Sequence, residues 1–193
     1  MTKEATPQTP LAMESEDALP SGTHRATFAK KGDTSVTLAD FIIKKVIGRG
    51  SFGKVFLVQK KDSGEVFAMK SLRKDVILEY DQVESTKLEK EILLKAEHPF
   101  LVGMSYVFQT DTKIFFVMRF VRGGELFMHL RQAQRFSEDR ARFYAIQVAM
   151  AIGALHDQKI IYRDLKPENI LMDEDGYICL TDFGLAKVLE PNS

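Results

Sequence analysis

The chain has 193 residues, of which 45% are hydrophobic, with 14 Phe and 5 Tyr, and its 27 Lys and Arg balance 27 Asp and Glu. That length excludes a large multidomain machine, the apolar content excludes disorder throughout, and the zero net charge gives no global reason to expect nucleic acid or an anionic membrane as partner. A single cysteine, Cys179, cannot close an internal disulfide, and His24, His98, His129 and His156 share no metal-ligand spacing with it, so a reducing compartment is expected, cytoplasmic and also nuclear. The longest apolar stretch, residues 148–155, falls far short of the roughly 18 residues that suggest a membrane span. The N-terminus resembles neither a signal peptide nor a transit peptide.

Residues 1–37 differ in kind from the rest: Pro7, Pro10 and Pro20 fall here with many Ser and Thr, no Ile, no Tyr, one Phe and one Val. Such a segment cannot offset its ordering entropy by burial and reads as a flexible tail or linker. Residues 41–47 form a β-branched-rich run, followed by Gly48-Arg49-Gly50-Ser51-Phe52-Gly53. Residues 54–60 and 65–72 read as two more strands joined by turn chemistry at Asp62-Ser63-Gly64, which makes an antiparallel meander with a glycine-rich first turn. Residues 82–96 carry Val83, Leu88, Ile92, Leu93 and Ala96 among many charges, the pattern of an amphipathic helix stopped by Pro99. Residues 102–109 and 114–121 restore strand patterning, giving about five strands with one helix.

Beyond Gly123-Gly124 the pattern turns helical. Ser137 suits an N-cap, with Glu138 and Asp139 in the first turn where the helix dipole favours acids. The helix it opens runs to about His156, is apolar on most faces, and is expected to be buried.

Alone, Gly48-x-Gly50-x-x-Gly53 is a weak signal shared with dinucleotide-binding turns. In those turns the third glycine opens a helix, whereas Val55-Phe56-Leu57-Val58 continues as a strand, so these glycines belong to a hairpin tip. There they let backbone N–H groups approach phosphate oxygens. On the third strand, Lys70 shares a side with Ala68, and nineteen residues later Glu89 lies in the amphipathic helix. A lysine under a glycine hairpin binds phosphate as a point charge, and a glutamate can hold its stem. The densest cluster is Tyr162-Arg163-Asp164-Leu165-Lys166-Pro167-Glu168-Asn169, followed by Asp182-Phe183-Gly184. Asn169 and Asp182 offer hard oxygens suited to Mg²⁺, and Asp164 is left to accept a hydroxyl proton.

With these motifs at these spacings, the sequence resembles a eukaryotic protein kinase over residues 38–187. Val36-Thr37-Leu38-Ala39-Asp40-Phe41, His98-Pro99-Phe100-Leu101-Val102, Gly123-Gly124-Glu125-Leu126-Phe127, Phe136-Ser137-Glu138, Tyr162 where most kinases have His, and Asp182-Phe183-Gly184-Leu185-Ala186-Lys187 are similar to the AGC group of serine/threonine kinases, which includes protein kinases A, B and C. The resemblance implies an α+β, bilobal fold: a five-stranded antiparallel N-lobe over residues 38–121 with one main helix, then the first part of a mostly helical C-lobe over 122–193.

It implies ATP and Mg²⁺ as cofactors. Ile47, Gly48, Arg49, Gly50, Ser51, Phe52, Gly53, Lys54 and Val55 would cover ATP, Lys70 would pair with its α- and β-phosphates, and Glu89 rather than Glu91 would anchor Lys70. Met118 would be the gatekeeper, with Arg119 to Val121 reading adenine through the backbone and Glu125 bordering the nucleotide. Asp164 would be the catalytic base, Lys166 would stabilise the γ-phosphate, and Asn169 and Asp182 would hold Mg²⁺. Leu93, Met104, Tyr162 and Phe183 match an apolar spine, and Val55, Ala68 and Leu171 match residues that sandwich adenine.

The resemblance further implies protein substrates with basic residues upstream of Ser or Thr, received by Glu125 and Glu168, together with an upstream activating kinase and a monomeric state. Kinase domains continue through an activation loop and several further helices, whereas this sequence stops nine residues after Gly184. Without those helices an apolar face of the Ser137 helix is expected to be left exposed, and the stretch alone is expected to be weak or inactive, because a catalytic loop without its supporting shell is poorly positioned. The competing reading is a nucleotide-binding regulatory module that transfers no phosphate; an NAD-binding fold is disfavoured by the strand after Gly53.

Overall fold

A computed structural model of the chain describes residues 36–189, so all but the last two residues of the tail expected at residues 1–37 lie outside the described residues. Val36, assigned to that tail by composition, is buried beside Phe41, and Thr37 opens a short turn in which its backbone N–H donates to Asp40 Oδ2 at 2.6 Å. The compact region therefore begins at least two residues before the expected boundary.

Five strands follow the expected order: β1 (Phe41–Gly50), β2 (Gly53–Lys60), β3 (Val66–Arg73), β4 (Met104–Gln109) and β5 (Lys113–Arg119). They pair antiparallel throughout in the order β1-β2-β3-β5-β4. The twofold alternation of a strand sorts their side chains onto two faces. Phe67 and Met69 of β3, with Phe115 and Val117 of β5, build one apolar cluster on the outer face, together with Val58 and Phe108. Leu72 of β3, with Phe116 and Met118 of β5, joins the main core on the other face, which continues into the second lobe through Leu93, Leu155, Tyr162 and Phe183. Lys70 has the parity of Leu72 and so faces the second lobe.

Two short helices, α1 (Lys74–Glu79) and α2 (Val83–Lys95), separate β3 from β4. Helix α2 is the expected amphipathic helix, and its buried stripe is Glu89, Ile92 and Leu93. Helix α1 was not expected. It follows β3 without a breaker and commits only Ile77 to the core.

After β5 come α3 (Leu126–Ala133) and α4 (Glu138–Asp157). Ser137 is the N-cap of α4, its side chain accepting from the Arg140 backbone N–H at 3.3 Å, with Glu138 and Asp139 in the first turn. Helix α4 is not buried on most faces, as its apolar content alone suggested; one apolar face is left exposed, the outcome expected for this stretch. Tyr144, Gln147, Ala151 and Leu155 form one buried stripe, while Phe143, Ile146 and Met150 are about half exposed. Many apolar residues gave no direction to the helix; the stripe at spacings of three and four did.

The chain then makes β6 (Ile160–Ile161), β7 (Ile170–Met172), β8 (Ile178–Leu180) and β9 (Lys187–Val188), with β6 pairing β9 and β7 pairing β8, both antiparallel. These short pairs bring two loops together: the one after β6 carries Asp164, and the one after β8 carries Asp182.

Candidate active site

A cavity of ≈ 560 Å³ lies between the sheet, α2 and the two loops. Its walls include the predicted Gly48, Arg49, Gly50, Ser51, Phe52, Gly53, Lys54 and Val55 from the β1–β2 hairpin, Lys70 from β3, Glu89 from α2, and Asp164 and Asp182 from the loops. Residues separated by more than a hundred positions therefore face one space. Leu72, Gln82, Ser85, Thr86, Gly184 and Leu185 complete the wall and were not anticipated; Gln82, Ser85, Thr86 and Glu89 follow helical spacing along one side of α2, a signal present in the sequence but without a motif to mark it.

The hairpin tip is built for close approach. A Cβ on Gly53 would sit 1.8 Å from the Ser71 carbonyl oxygen, so only glycine lets β2 lie against β3 there, whereas a Cβ on Gly50 would meet nothing nearer than 4.0 Å. Gly50 pairs with Gly53 across the turn.

Lys70 is the electrostatic centre. Its Nζ donates to Glu89 Oε1 at 2.6 Å and to Asp182 Oδ1 at 3.2 Å. Burial alone would pull the ammonium's pKa down, but the charges of Glu89 and Asp182 outweigh it and hold the pKa above its ordinary value, so Lys70 is a cation throughout the physiological range. Burial pushes the Glu89 carboxyl up against the pull of Lys70. Glu91, the rival anchor, is exposed and lies 3.9 Å from Lys95 instead.

Asp164 is held from two sides. Lys166 Nζ lies 3.0 Å from its Oδ1 and 2.9 Å from its Oδ2, and Asn169 Nδ2 donates to its backbone oxygen at 3.0 Å and to Oδ2 at 2.7 Å. The two bonds fix the orientation of the Asn169 amide and leave its Oδ1 for another partner. Lys166 is itself held above its ordinary pKa by the hydrogen bond and charge of Asp164.

The two loops are stapled to each other. Tyr162 Oη donates to Thr181 O at 2.5 Å, Thr181 N to Asn169 O at 3.0 Å, and Arg163 Nε to Leu185 O at 2.7 Å. Burial, then the nearby Asp182 and Asp164 charges, push the Tyr162 phenol well above its ordinary pKa, so it remains a donor. Arg163 and Asp182 have φ of 64° and 59°, a left-handed conformation that costs a side-chain-bearing residue of order 1 kcal/mol or more and persists only where surroundings enforce it. The enclosed Phe183, whose ring centroid is 5.6 Å from that of Tyr162, supplies that enforcement between the loops.

The remaining predicted residues are not in the wall of this cavity. Ala68 pairs with Met118 across β3 and β5, and Glu125 forms an isolated bridge with Leu171. Val121 is buried in the main core, against which Leu171 packs. Ile47 is part-exposed on β1. The Arg119 side chain points elsewhere: its Nη2 is 3.1 Å from Cys179 Sγ, and it lines a separate cavity with His98, Phe100, Asp173 and Tyr177. Its side chain therefore takes no part in the hairpin cavity. Leu93, Met104, Tyr162 and Phe183 are joined in one core cluster, as the spine requires.

Donors of this kind fit a triphosphate and magnesium. Among the described residues, no three His, Cys, Asp or Glu side chains gather as a metal site on their own. The half-exposed Asp182 carboxylate and the Asn169 amide oxygen are two hard donors, and Mg²⁺ takes one or two protein oxygens with phosphates and water supplying the rest.

A glycine hairpin over a lysine-carboxylate pair, facing two stapled acidic loops, defines the class. Residues 41–193 match the protein kinase domain family, and the chain belongs to it. Within that family it belongs to the AGC group. It is 54% identical over 160 residues to Protein kinase 2 of Dictyostelium discoideum, covering 83% of this chain and 33% of that protein. Over 157 residues it is 52% identical to the serine/threonine-protein kinase Sgk3 of Rattus norvegicus, covering 81% of this chain and 32% of the relative. It is 48% identical over 157 residues to the RAC-beta serine/threonine-protein kinase B of Xenopus laevis, again 81% and 32%. The chain thus spans about a third of the length of these curated relatives. No helix among the described residues is long and apolar enough to cross a membrane.

Proposed function

We propose that this chain carries the nucleotide-binding and proton-accepting face of an ATP-dependent serine/threonine protein kinase. The observation that carries the reading is the opening of Lys70, Asp164 and Asp182 onto one cavity under the glycine hairpin. Hairpin N–H groups and the Lys70 ammonium hold the phosphates; Glu89 holds Lys70. When bound, Mg²⁺ supplies charge neutralisation at the phosphate oxygens, and Asn169 Oδ1 with the Asp182 carboxylate would hold it.

Asp164 orients a Ser or Thr hydroxyl for in-line attack on the γ-phosphorus. The hydroxyl proton passes to the carboxylate as the new O–P bond forms and the bond to the ADP oxygen breaks. Oδ1, which takes one recorded bond where Oδ2 takes two, is the better-placed acceptor. Lys166, bonded to Asp164, would stabilise the transferring phosphoryl group.

A basic substrate segment is supported by the surface beside Asp164. Glu125 precedes α3 and Glu168 lies in the turn Pro167–Asn169, both exposed, and α3 packs against that turn. Exposed carboxylates on two elements that pack together suit arginines upstream of the acceptor hydroxyl. An upstream activating kinase and a cytoplasmic, monomeric state accompany this reading as proposals from the family. The half-exposed Phe143, Ile146 and Met150 face of α4 supports weak activity for this stretch by itself, since a floor lacking packing positions the catalytic loop loosely. The test is phosphotransfer from radiolabelled ATP to an arginine-rich serine peptide by a version of the protein extended through a complete kinase domain. Asp164→Asn is expected to abolish the signal while nucleotide binding persists; an undiminished rate would refute the role of Asp164, and nucleotide binding without any transfer would favour a regulatory module.

A further inference from the structure

We infer that Gln147 of α4 is a positioning residue for the metal-holding pair, acting through strand β8. The inference rests on Asn169 and Asp182 being that pair, as proposed above.

These two residues flank the β7–β8 hairpin. Asn169 immediately precedes β7, Asp182 follows β8 by two residues, and the register Ile170↔Leu180, Leu171↔Cys179, Met172↔Ile178 fixes their separation. Thr181 N donating to Asn169 O continues the ladder one step beyond it. Whatever sets the path of β8 therefore sets where Asp182 stands relative to Asn169.

One edge of β8 pairs with β7. The other edge is held at three points. Leu180 N donates to Phe100 O and Val102 N donates to Leu180 O, both at 2.9 Å, which ties the end of β8 to the first lobe. Its start is tied differently: Ile178 N donates to Gln147 Oε1 at 2.9 Å. This bond is buried, and Gln147 is only 4% exposed. The amide is itself oriented, because Nε2 donates to Phe143 O one helical turn earlier at 3.1 Å. Gln147 thus converts the rigidity of a 20-residue helix into a fixed start for a three-residue strand. A three-residue strand has too few ladder bonds to fix its own path, so the Gln147 acceptor at its start acts together with the first-lobe bonds at its end to set it.

Apolar side chains could fill the space of Gln147 without doing this. What they lack is the acceptor for the Ile178 amide, which would then be buried without a partner and free to seek one by moving the strand.

The test is equilibrium binding of a non-hydrolysable ATP analogue with and without Mg²⁺, alongside thermal unfolding, on the full chain. Gln147→Met is expected to weaken the magnesium-dependent gain in nucleotide affinity about tenfold, a size usual for loss of a group that orients a metal ligand, with metal-free affinity unchanged. Gln147→Asn, polar but one methylene too short, is expected to show the same loss and decides the matter if the Met variant does not fold. Gln147→Glu, which keeps an acceptor at the same reach, is expected to retain the wild-type gain. A lowered thermal midpoint with an unaltered magnesium gain in the Met or Asn variant would make Gln147 merely structural and overturn the inference. A wild-type chain whose nucleotide affinity ignores magnesium would instead overturn the reading of Asn169 and Asp182, and the inference with it.

Discussion

Lys70 and Glu89 stand nineteen residues apart in the chain and 2.6 Å apart in space, strand to helix, with the Asp182 carboxylate on the other side of the same ammonium. The lysine is thereby shared between a buried anchor and a half-exposed competitor. Removing the anchor leaves it to the competitor.

Glu89→Gln keeps the shape of the side chain and removes its charge. Phosphotransfer is expected to fall by about 10–10² as Lys70 turns to Asp182, since loss of a charge-assisted contact costs roughly 1.5–3 kcal/mol. Glu91→Gln, on the exposed Lys95 side of the helix, is expected to leave the rate unchanged. Steady-state transfer to a basic peptide, measured in the version extended through a complete kinase domain, compares the two, and equal effects would contradict the anchor assignment.

Two glycines of the hairpin separate packing from flexibility. Gly53→Ala is expected to cost about 1–3 kcal/mol in urea unfolding, because the new methyl collides with the Ser71 backbone and that strand must shift. Gly50→Ala has open space and is expected to change stability by less than about 1 kcal/mol. A reversal of this order would place the close contact elsewhere.

Stability at high pH follows from three raised groups. Burial raises the Cys179 thiol from 9.0 despite the opposing Arg119; burial and two acidic neighbours raise Tyr162 from 10.0; and Lys70, which burial alone would lower, is raised from 10.5 by Glu89 and Asp182. In each, the fold favours the protonated form. Their contribution is complete below these ordinary values and is lost as pH climbs through the higher folded ones. Thermal midpoints are expected to be insensitive to these groups at neutral pH and to fall above about pH 9. Tyr162→Phe should lower the midpoint at neutral pH and flatten the alkaline decline; an unchanged decline would contradict the role of the phenol.

Cys179 gives an independent check on the core. At 1% exposure with its pKa raised, it is expected to resist maleimide in the native chain and to label on unfolding. Rapid native labelling would mean that β8 is not enclosed.

The glycine hairpin, Lys70, Glu89, Asp164, Asn169 and Asp182 were picked out because their types and spacings resemble the protein kinase motifs; the hairpin, Lys70, Glu89, Asp164 and Asp182 do line one cavity. The five strands were legible from alternation. Helix α1 was not, because six residues that bury only Ile77 show no period. The Lys70–Asp182 and Gln147–Ile178 bonds join residues 112 and 31 positions apart, and nothing local to either partner announces them. The half-exposed face of α4 was anticipated from the resemblance, which implies further helices against that side, but which of its apolar residues would be exposed was not, because apolar content alone does not set the direction of a buried stripe.

The convergence of Lys70, Asp164 and Asp182 on one nucleotide is tested most directly by calorimetric titration of ADP with and without Mg²⁺ into the chain and its Asp182→Asn and Lys70→Met variants. The account predicts that magnesium tightens wild-type binding, that Asp182→Asn loses most of this gain, and that Lys70→Met weakens binding in either condition. Variants that bind as the wild type does, with and without magnesium, would contradict it.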